Sequence, residues 1–106
     1  MKKILYIGSE VMPFAATGGL GDVLGSLPAA IKSKEKGNAD IRVVLPLYGT
    51  VSEEWRSQMR DEAVFNVQLC WRNLYCGVKS IVKNDVTYYF IDNEYYFKRS
   101  ALYGFY

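Results

Sequence analysis

Two short runs rich in β-branched residues, Lys3–Ile7 and Ile41–Leu45, are separated by a helical pattern and by no tight turn. Gly8-Ser9 closes the first run and Pro46 the second. Antiparallel neighbours can be joined by a two-residue hairpin, whereas parallel neighbours need a crossover of a dozen or more residues, normally helical. Strand, loop, helix, turn and strand therefore predict a βαβ unit, an α/β fold and a sheet that is at least partly parallel.

Between the runs, Leu20, Val23, Leu24, Leu27 and Ile31 recur at three- and four-residue steps and predict one apolar stripe of a helix. Pro28 removes a backbone donor from that pattern, which predicts a kink or a restart near Ser26. Gly37-Asn38 reads as its C-terminal stop. Downstream, Ser52 opens a short helix expected to run to about Met59. Val64–Trp71 and Leu74–Val82 read as an antiparallel hairpin turning at Arg72-Asn73. Val86–Ile91 reads as a last strand. The aromatic stretch from Tyr95 to Tyr106 ends without a cap or closing helix, the expected look of a segment cut from something longer.

With 106 residues the chain has surface enough for one modest core, so a single domain is expected. A net charge of +2 is too small to point to nucleic acid or an anionic membrane as the partner. The apolar run after Lys2-Lys3 stops at Gly8, far short of the roughly 7–15 residues of a secretory core or about 20 of a membrane span. A cytoplasmic location with reduced thiols is the expectation. The absence of His removes the usual acid–base catalyst of Ser and Cys hydrolases and the commonest metal ligand. In the expected hairpin Cys70 and Cys76 point to opposite faces, which argues against a disulfide between them. No metal site is expected from two cysteines alone.

Thr17-Gly18-Gly19-Leu20-Gly21-Asp22 precedes the helix. Glycines there let a ligand approach the backbone, and the unpaired N–H groups of a helix start favour an anion. A dinucleotide fingerprint is a poor fit, because Ser9 to Thr17 intervene after the strand and no Asp or Glu closes the second strand. Tight turning and close packing explain such glycines equally well.

Lys3 to Glu10, Pro13, Thr17 to Val23 and Leu27-Pro28 closely resemble the start of bacterial glycogen synthases and plant starch synthases. The likeness continues through Val43 to Tyr48, Phe90 to Asn93, Tyr95 to Phe97, Arg99 and Leu102 to Gly104. It implies a GT-B glycosyltransferase with two Rossmann-like domains and an active site between them, this chain supplying the front of the amino-terminal domain. It further implies transfer of glucose from ADP-glucose to the non-reducing end of an α-1,4-glucan such as glycogen, with retention, without a metal or cofactor. The chain's partners would then be those two substrates and the carboxy-terminal remainder of the enzyme, with no nucleic acid or membrane. Many members carry Lys immediately before Thr-Gly-Gly-Leu, where this chain has Ala16, so that cationic contact does not carry over.

The same resemblance implies that Thr17, Gly18 and Gly19 line the donor diphosphate or glucose, and that Asp22 and Glu10 accept hydrogen bonds from sugar hydroxyls. Asp22 also reads as a first-turn charge favoured by the helix dipole, and Glu10 as a solvated loop residue. Asp92 and Asn93 close a strand, where α/β sheets place ligands, and read equally as turn formers. The aromatics after Asn93 read either as stacking platforms for glucan or as core. Two other functions remain open from the residues: a nucleotide- or sugar-binding module without chemistry, and a protein-interaction domain.

Overall fold

A computed structural model describes residues 2–15, 19–36, 38–69 and 71–93, with the backbone alone for Leu69 and Arg72. The elements are β1 (Lys2–Ile7), α1 (Gly19–Lys34), β2 (Ala39–Pro46), α2 (Glu53–Arg56), β3 (Arg60–Leu69), β4 (Arg72–Lys83) and β5 (Val86–Asp92). The strands form one sheet in the order β1-β2-β5-β4-β3. β1 and β2 are parallel, with Ile4 beside Ile41 and Ile7 beside Val44. β5 is parallel to β2, and β4 and β3 continue the sheet antiparallel. The βαβ unit and the antiparallel hairpin are therefore both present.

Alternation sets which sheet face is covered. Ile41, Val43 and Leu45 of β2 and Val86, Tyr88 and Phe90 of β5 are buried on one face. Phe14, from the loop after β1, sits over them and meets Trp55, Tyr88 and Phe90 edge-on at centroid distances of 5.0, 5.1 and 5.0 Å. Such T-shaped contacts match ring edge to ring face. On the opposite side of the sheet Leu5 and Ile7 are exposed.

Three details differ from the sequence expectation. First, α1 runs continuously through Pro28, which is buried. Its buried positions are Gly21, Leu24 and Pro28, while Leu20, Val23 and Leu27 are exposed. Close approach of the β1 loop turns the helix: a β-carbon at Gly25 would lie 2.7 Å from both Cβ and O of Met12. The Met12 N–H also donates to the Gly21 carbonyl at 3.0 Å. Gly21 and Gly25 thus face the loop beside Leu24, while Leu20, Val23 and Leu27 are left exposed.

Second, β3 and β4 connect between Leu69 and Arg72, which pair with each other, and Phe65 pairs with Cys76. The expected turn at Arg72-Asn73 would pair residues an even number of positions away, and a period of two cannot separate such registers. Cross-strand partners do separate them: Ser80 Oγ donates to Glu62 Oε1 at 2.7 Å, and Lys79 approaches Asp61 at 3.5 Å. A shift at Asp61/Ala63 absorbs the extra residue. Cys76 is a half-buried free thiol, and Cys70 lies outside the described residues.

Third, α2 is a single turn ending at Arg56 rather than near Met59, and Ser52 makes no side-chain cap. Arg56 turns back instead, donating from Nε to Val51 O at 2.9 Å and from Nη2 to Tyr48 O at 2.6 Å. Among the described residues no helix is long and apolar enough to cross a membrane.

Candidate functional site

Parallel pairing brings the carboxy-terminal ends of β1, β2 and β5 to one edge of the sheet, the end at which open α/β sheets hold ligands. The loops leaving that edge are tied together. The Gly8 N–H donates to Val44 O at 3.0 Å, Leu47 N–H to Ile91 O at 2.8 Å, and the Tyr48 hydroxyl to Ser9 O at 3.0 Å. A crevice of about 340 Å³ opens there, lined by Ile7, Gly8, Ser9, Val44, Leu45, Pro46 and Ile91.

Glu10 follows β1 at this edge and is 6% exposed. The solvated-loop reading of Glu10 is therefore wrong, because Val11, Phe14 and Ala15 fold the loop over into the core: Val11 N–H donates to Ala15 O at 2.7 Å and Ala15 N–H to Val11 O at 2.9 Å. A carboxylate is retained in such a place only with partners, and Glu10 has them. Asp22 stands exposed in the first turn of α1, where its backbone carbonyl accepts from Ser26 Oγ at 2.7 Å. Gly19 opens the helix, and a β-carbon there would meet nothing within 4 Å. Ala16, Thr17 and Gly18 lie outside the described residues.

Asp92 and Asn93 are half-buried at the end of β5. Asn93 Nδ2 donates to Tyr75 O at 2.9 Å, clipping this end to β4. β2 lies between β1 and β5, so these two residues border the same edge from about 10 Å beyond the β1 loop. The loop that carries Glu10 thus meets the first turn of α1 through the Met12 N–H on Gly21 O at 3.0 Å, and Asp92 with Asn93 lie two strands away. The aromatics from Tyr95 onward lie outside the described residues. The residues that the sequence reading passed over are Tyr48 and Ser9, whose hydrogen bond ties the β1 and β2 loops. Tyr48 belongs to the Val43 to Tyr48 block that carried the resemblance, and that was the available signal.

Electrostatic perturbation lies away from this edge. Asp40, at the start of β2, is held below its ordinary value by the hydrogen bond from Arg42 Nε at 3.1 Å. Burial pushes the Tyr88 phenol up. Among the described residues no cluster of three Cys, Asp or Glu is placed to hold a metal ion.

The family described as the starch synthase catalytic domain matches residues 3–106. A glycogen synthase of Halalkalibacterium halodurans is 52% identical over 102 residues, covering 96% of this chain and 21% of that protein. One from Clostridium beijerinckii is 51% identical over 104 residues, with 98% of this chain and 21% of that protein covered. The chain thus spans about a fifth of the length of these relatives. Among solved structures, the catalytic domain of starch synthase IV from Arabidopsis thaliana, bound to ADP and acarbose, superposes with a TM-score of 0.80 at 22% identity. It covers 98% of this chain and 21% of that one, a likeness of fold.

Proposed function

Because the chain belongs to the family of starch synthase catalytic domains, we propose that it forms the front of the amino-terminal domain of a bacterial glycogen synthase. The reaction is transfer of glucose from ADP-glucose to the non-reducing end of an α-1,4-glucan, with retention. The observation that carries this reading is the buried Glu10, in a loop whose Met12 N–H bonds Gly21 O in the first turn of the glycine-led α1, at the end of a parallel sheet. A diphosphate held at the start of α1 would meet the unpaired first-turn N–H groups and the positive end of the helix dipole, with Gly18 and Gly19 the proposed contacts. Thr17, next to them in sequence, is a further proposed substrate contact. Asp22 and Glu10 accept hydrogen bonds from sugar hydroxyls, and Asp92 with Asn93, at the end of β5, are further substrate-binding candidates. Ala16 supplies no charge where many relatives carry Lys, so donor binding here leans on backbone dipoles and on groups elsewhere in the enzyme. The enzyme acts in the cytoplasm.

Incorporation of labelled glucose from ADP-glucose into glycogen by the full-length protein is the direct assay. Asp22→Ala and Glu10→Gln are each expected to lower kcat/KM by about 10²-fold, the scale of one lost charged contact to a transition state. Absence of incorporation by the parent, with ADP-glucose and UDP-glucose both tried, would refute the reading.

A further inference from the structure

Glu10 is held at both of its peptide links. Upstream, the Ser9 carbonyl belongs to the peptide whose nitrogen is Glu10's own, and it accepts from the Tyr48 hydroxyl at 3.0 Å. Downstream, the Val11 N–H donates to Ala15 O at 2.7 Å. A peptide unit is planar, so tethering each of these planes restricts the backbone torsions that aim the Glu10 side chain. Backbone contacts already join the strand ends without Tyr48: the Gly8 N–H reaches Val44 O and the Leu47 N–H reaches Ile91 O. The Tyr48 hydroxyl reaches one residue further along the loop, to the link that carries Glu10. Tyr48 is itself buried and braced from behind. Its carbonyl accepts from Arg56 Nη2 at 2.6 Å and from the Val51 N–H at 3.1 Å, while Arg56 Nε donates to Val51 O at 2.9 Å. Trp55, the neighbouring residue of α2, meets Phe14 of the Glu10 loop at 5.0 Å. One helical turn thus supports Tyr48 through one residue and the far end of Glu10's loop through the next.

We propose that Tyr48 is a positioning residue for Glu10, with Arg56 of α2 as its brace. The inference rests on Glu10 as the substrate contact proposed above, and names what aims it. A hydrogen bond from a sugar hydroxyl to a carboxylate is directional, and misplacing a group of the site by about 1 Å costs on the order of 10² in rate. Tyr48 acts through the loop and not on the substrate, because its hydroxyl lies on a backbone carbonyl and the residue is 4% exposed. Replacing it by Phe leaves the ring in the core and releases the Ser9–Glu10 plane to turn. A bond that only held the fold together would lower the melting temperature and leave the folded enzyme's kinetics alone. A bond that aims Glu10 makes the kinetic loss depend on Glu10 being there.

The test is a double-mutant cycle in the full-length protein, read by glucose transfer to glycogen, with crystal structures of the parent and of Tyr48→Phe. Tyr48→Phe is expected to lower kcat/KM about tenfold. On the Glu10→Gln background the same change should cost less than about twofold, since the contact it protects is already impaired. Arg56→Met, which removes both donors of the brace, should lower kcat/KM about threefold with the same dependence on Glu10, and it carries the cycle if Tyr48→Phe melts too low to assay. Tyr88→Phe deletes a core hydroxyl that tethers no part of the loop, so it should keep the parent's kcat/KM. In the Tyr48→Phe crystal the Ser9–Glu10 peptide should be turned and Glu10 displaced by about 1 Å. Parent-like kcat/KM in folded Tyr48→Phe would overturn the inference, as would a tenfold loss that persists undiminished on Glu10→Gln, or a Glu10 that has not moved. A parent that transfers no glucose, with Glu10 displaced in the variant, would uphold the positioning and refute the proposed reaction.

Discussion

Leu24 fills the space that a side chain at Gly8 would need: a β-carbon on Gly8 would lie 2.1 Å from Leu24 Cδ1. Gly8 opens the loop that leaves β1, and Leu24 is the large residue that α1 buries. The contact therefore fixes how closely the helix start approaches the sheet edge where the candidate site lies. A second close contact, Gly25 on Met12, lies one residue further along the helix.

These two glycines should respond differently to Ala. At Gly8 the obstacle is the end of a Leu side chain, which can rotate at some cost. At Gly25 it includes Met12 O at 2.7 Å and Met12 Cα at 3.1 Å, which are backbone and cannot give without moving the loop. Gly25→Ala is expected to destabilise by about 2–3 kcal/mol despite a gain of about 1 kcal/mol in helix propensity. Gly8→Ala should cost less, on the order of 1–2 kcal/mol. Urea unfolding of both variants checks the order, and a stabilised Gly25→Ala would contradict the packing.

Tyr88 gives a prediction of opposite sign. Its ring lies in the core at 0% exposure, and its hydroxyl has no hydrogen-bond partner among the described residues. Removing an unsatisfied buried polar atom should be neutral or stabilising, so Tyr88→Phe is expected to gain up to about 1 kcal/mol. The pH dependence follows from the same burial, which raises the phenol above its ordinary value of 10.0. The unfolded chain then loses its proton first, so stability contributed by the neutral phenol is intact below pH 10 and declines as pH rises beyond it. Tyr88→Phe should flatten that alkaline decline, as read by melting temperature against pH.

The Asp40–Arg42 pair governs the acid side. The hydrogen bond from Arg42 lowers the Asp40 value below 3.8. The contribution is present above the unfolded value and is lost as pH falls through the lowered one, a window below about pH 4. Because both groups are exposed, the change in overall stability should be small. Carboxyl titration of Asp40 by NMR is the sensitive readout, and Arg42→Ala should return it towards the ordinary value.

Legibility in the sequence followed the physics of each signal. β1, β2 and their parallel relation were readable because alternation and the long connection leave few topologies. The rotation of α1 was not, because Leu20, Val23 and Leu27 obey helical spacing as well as the buried Gly21, Leu24 and Pro28 do. Close backbone approach at Gly25 decides between them, and no hydrophobicity pattern records it. The hairpin register escaped for a related reason, since both registers place the same residues on the same faces. Of the candidate site, Glu10 and Asp22 were found by resemblance, but the burial of Glu10 required knowing that Val11, Phe14 and Ala15 fold over the sheet.

The 106-residue chain alone is expected not to make glucan. Retaining transfer needs the departing ADP's charge stabilised while the acceptor hydroxyl is held in line for attack. The helix start at Gly19 offers backbone dipoles, yet the residue before Thr17-Gly18-Gly19 is the uncharged Ala16, and the chain spans 21% of the length of its Halalkalibacterium halodurans relative. Loss of one electrostatic stabiliser typically costs about 10²–10³ in rate, and groups that the rest of the proposed enzyme would supply are not part of this chain. A crevice open on one side also leaves the donor in water, where each remaining contact is weaker. Weak binding of donor or maltooligosaccharide should survive, because the helix start, Glu10 and Asp22 belong to this part. Labelled glucose incorporation by the purified chain, set against the full-length protein, measures the difference. Turnover within about tenfold of the full-length protein would show that these 106 residues hold the whole catalytic apparatus, since the missing groups should cost far more.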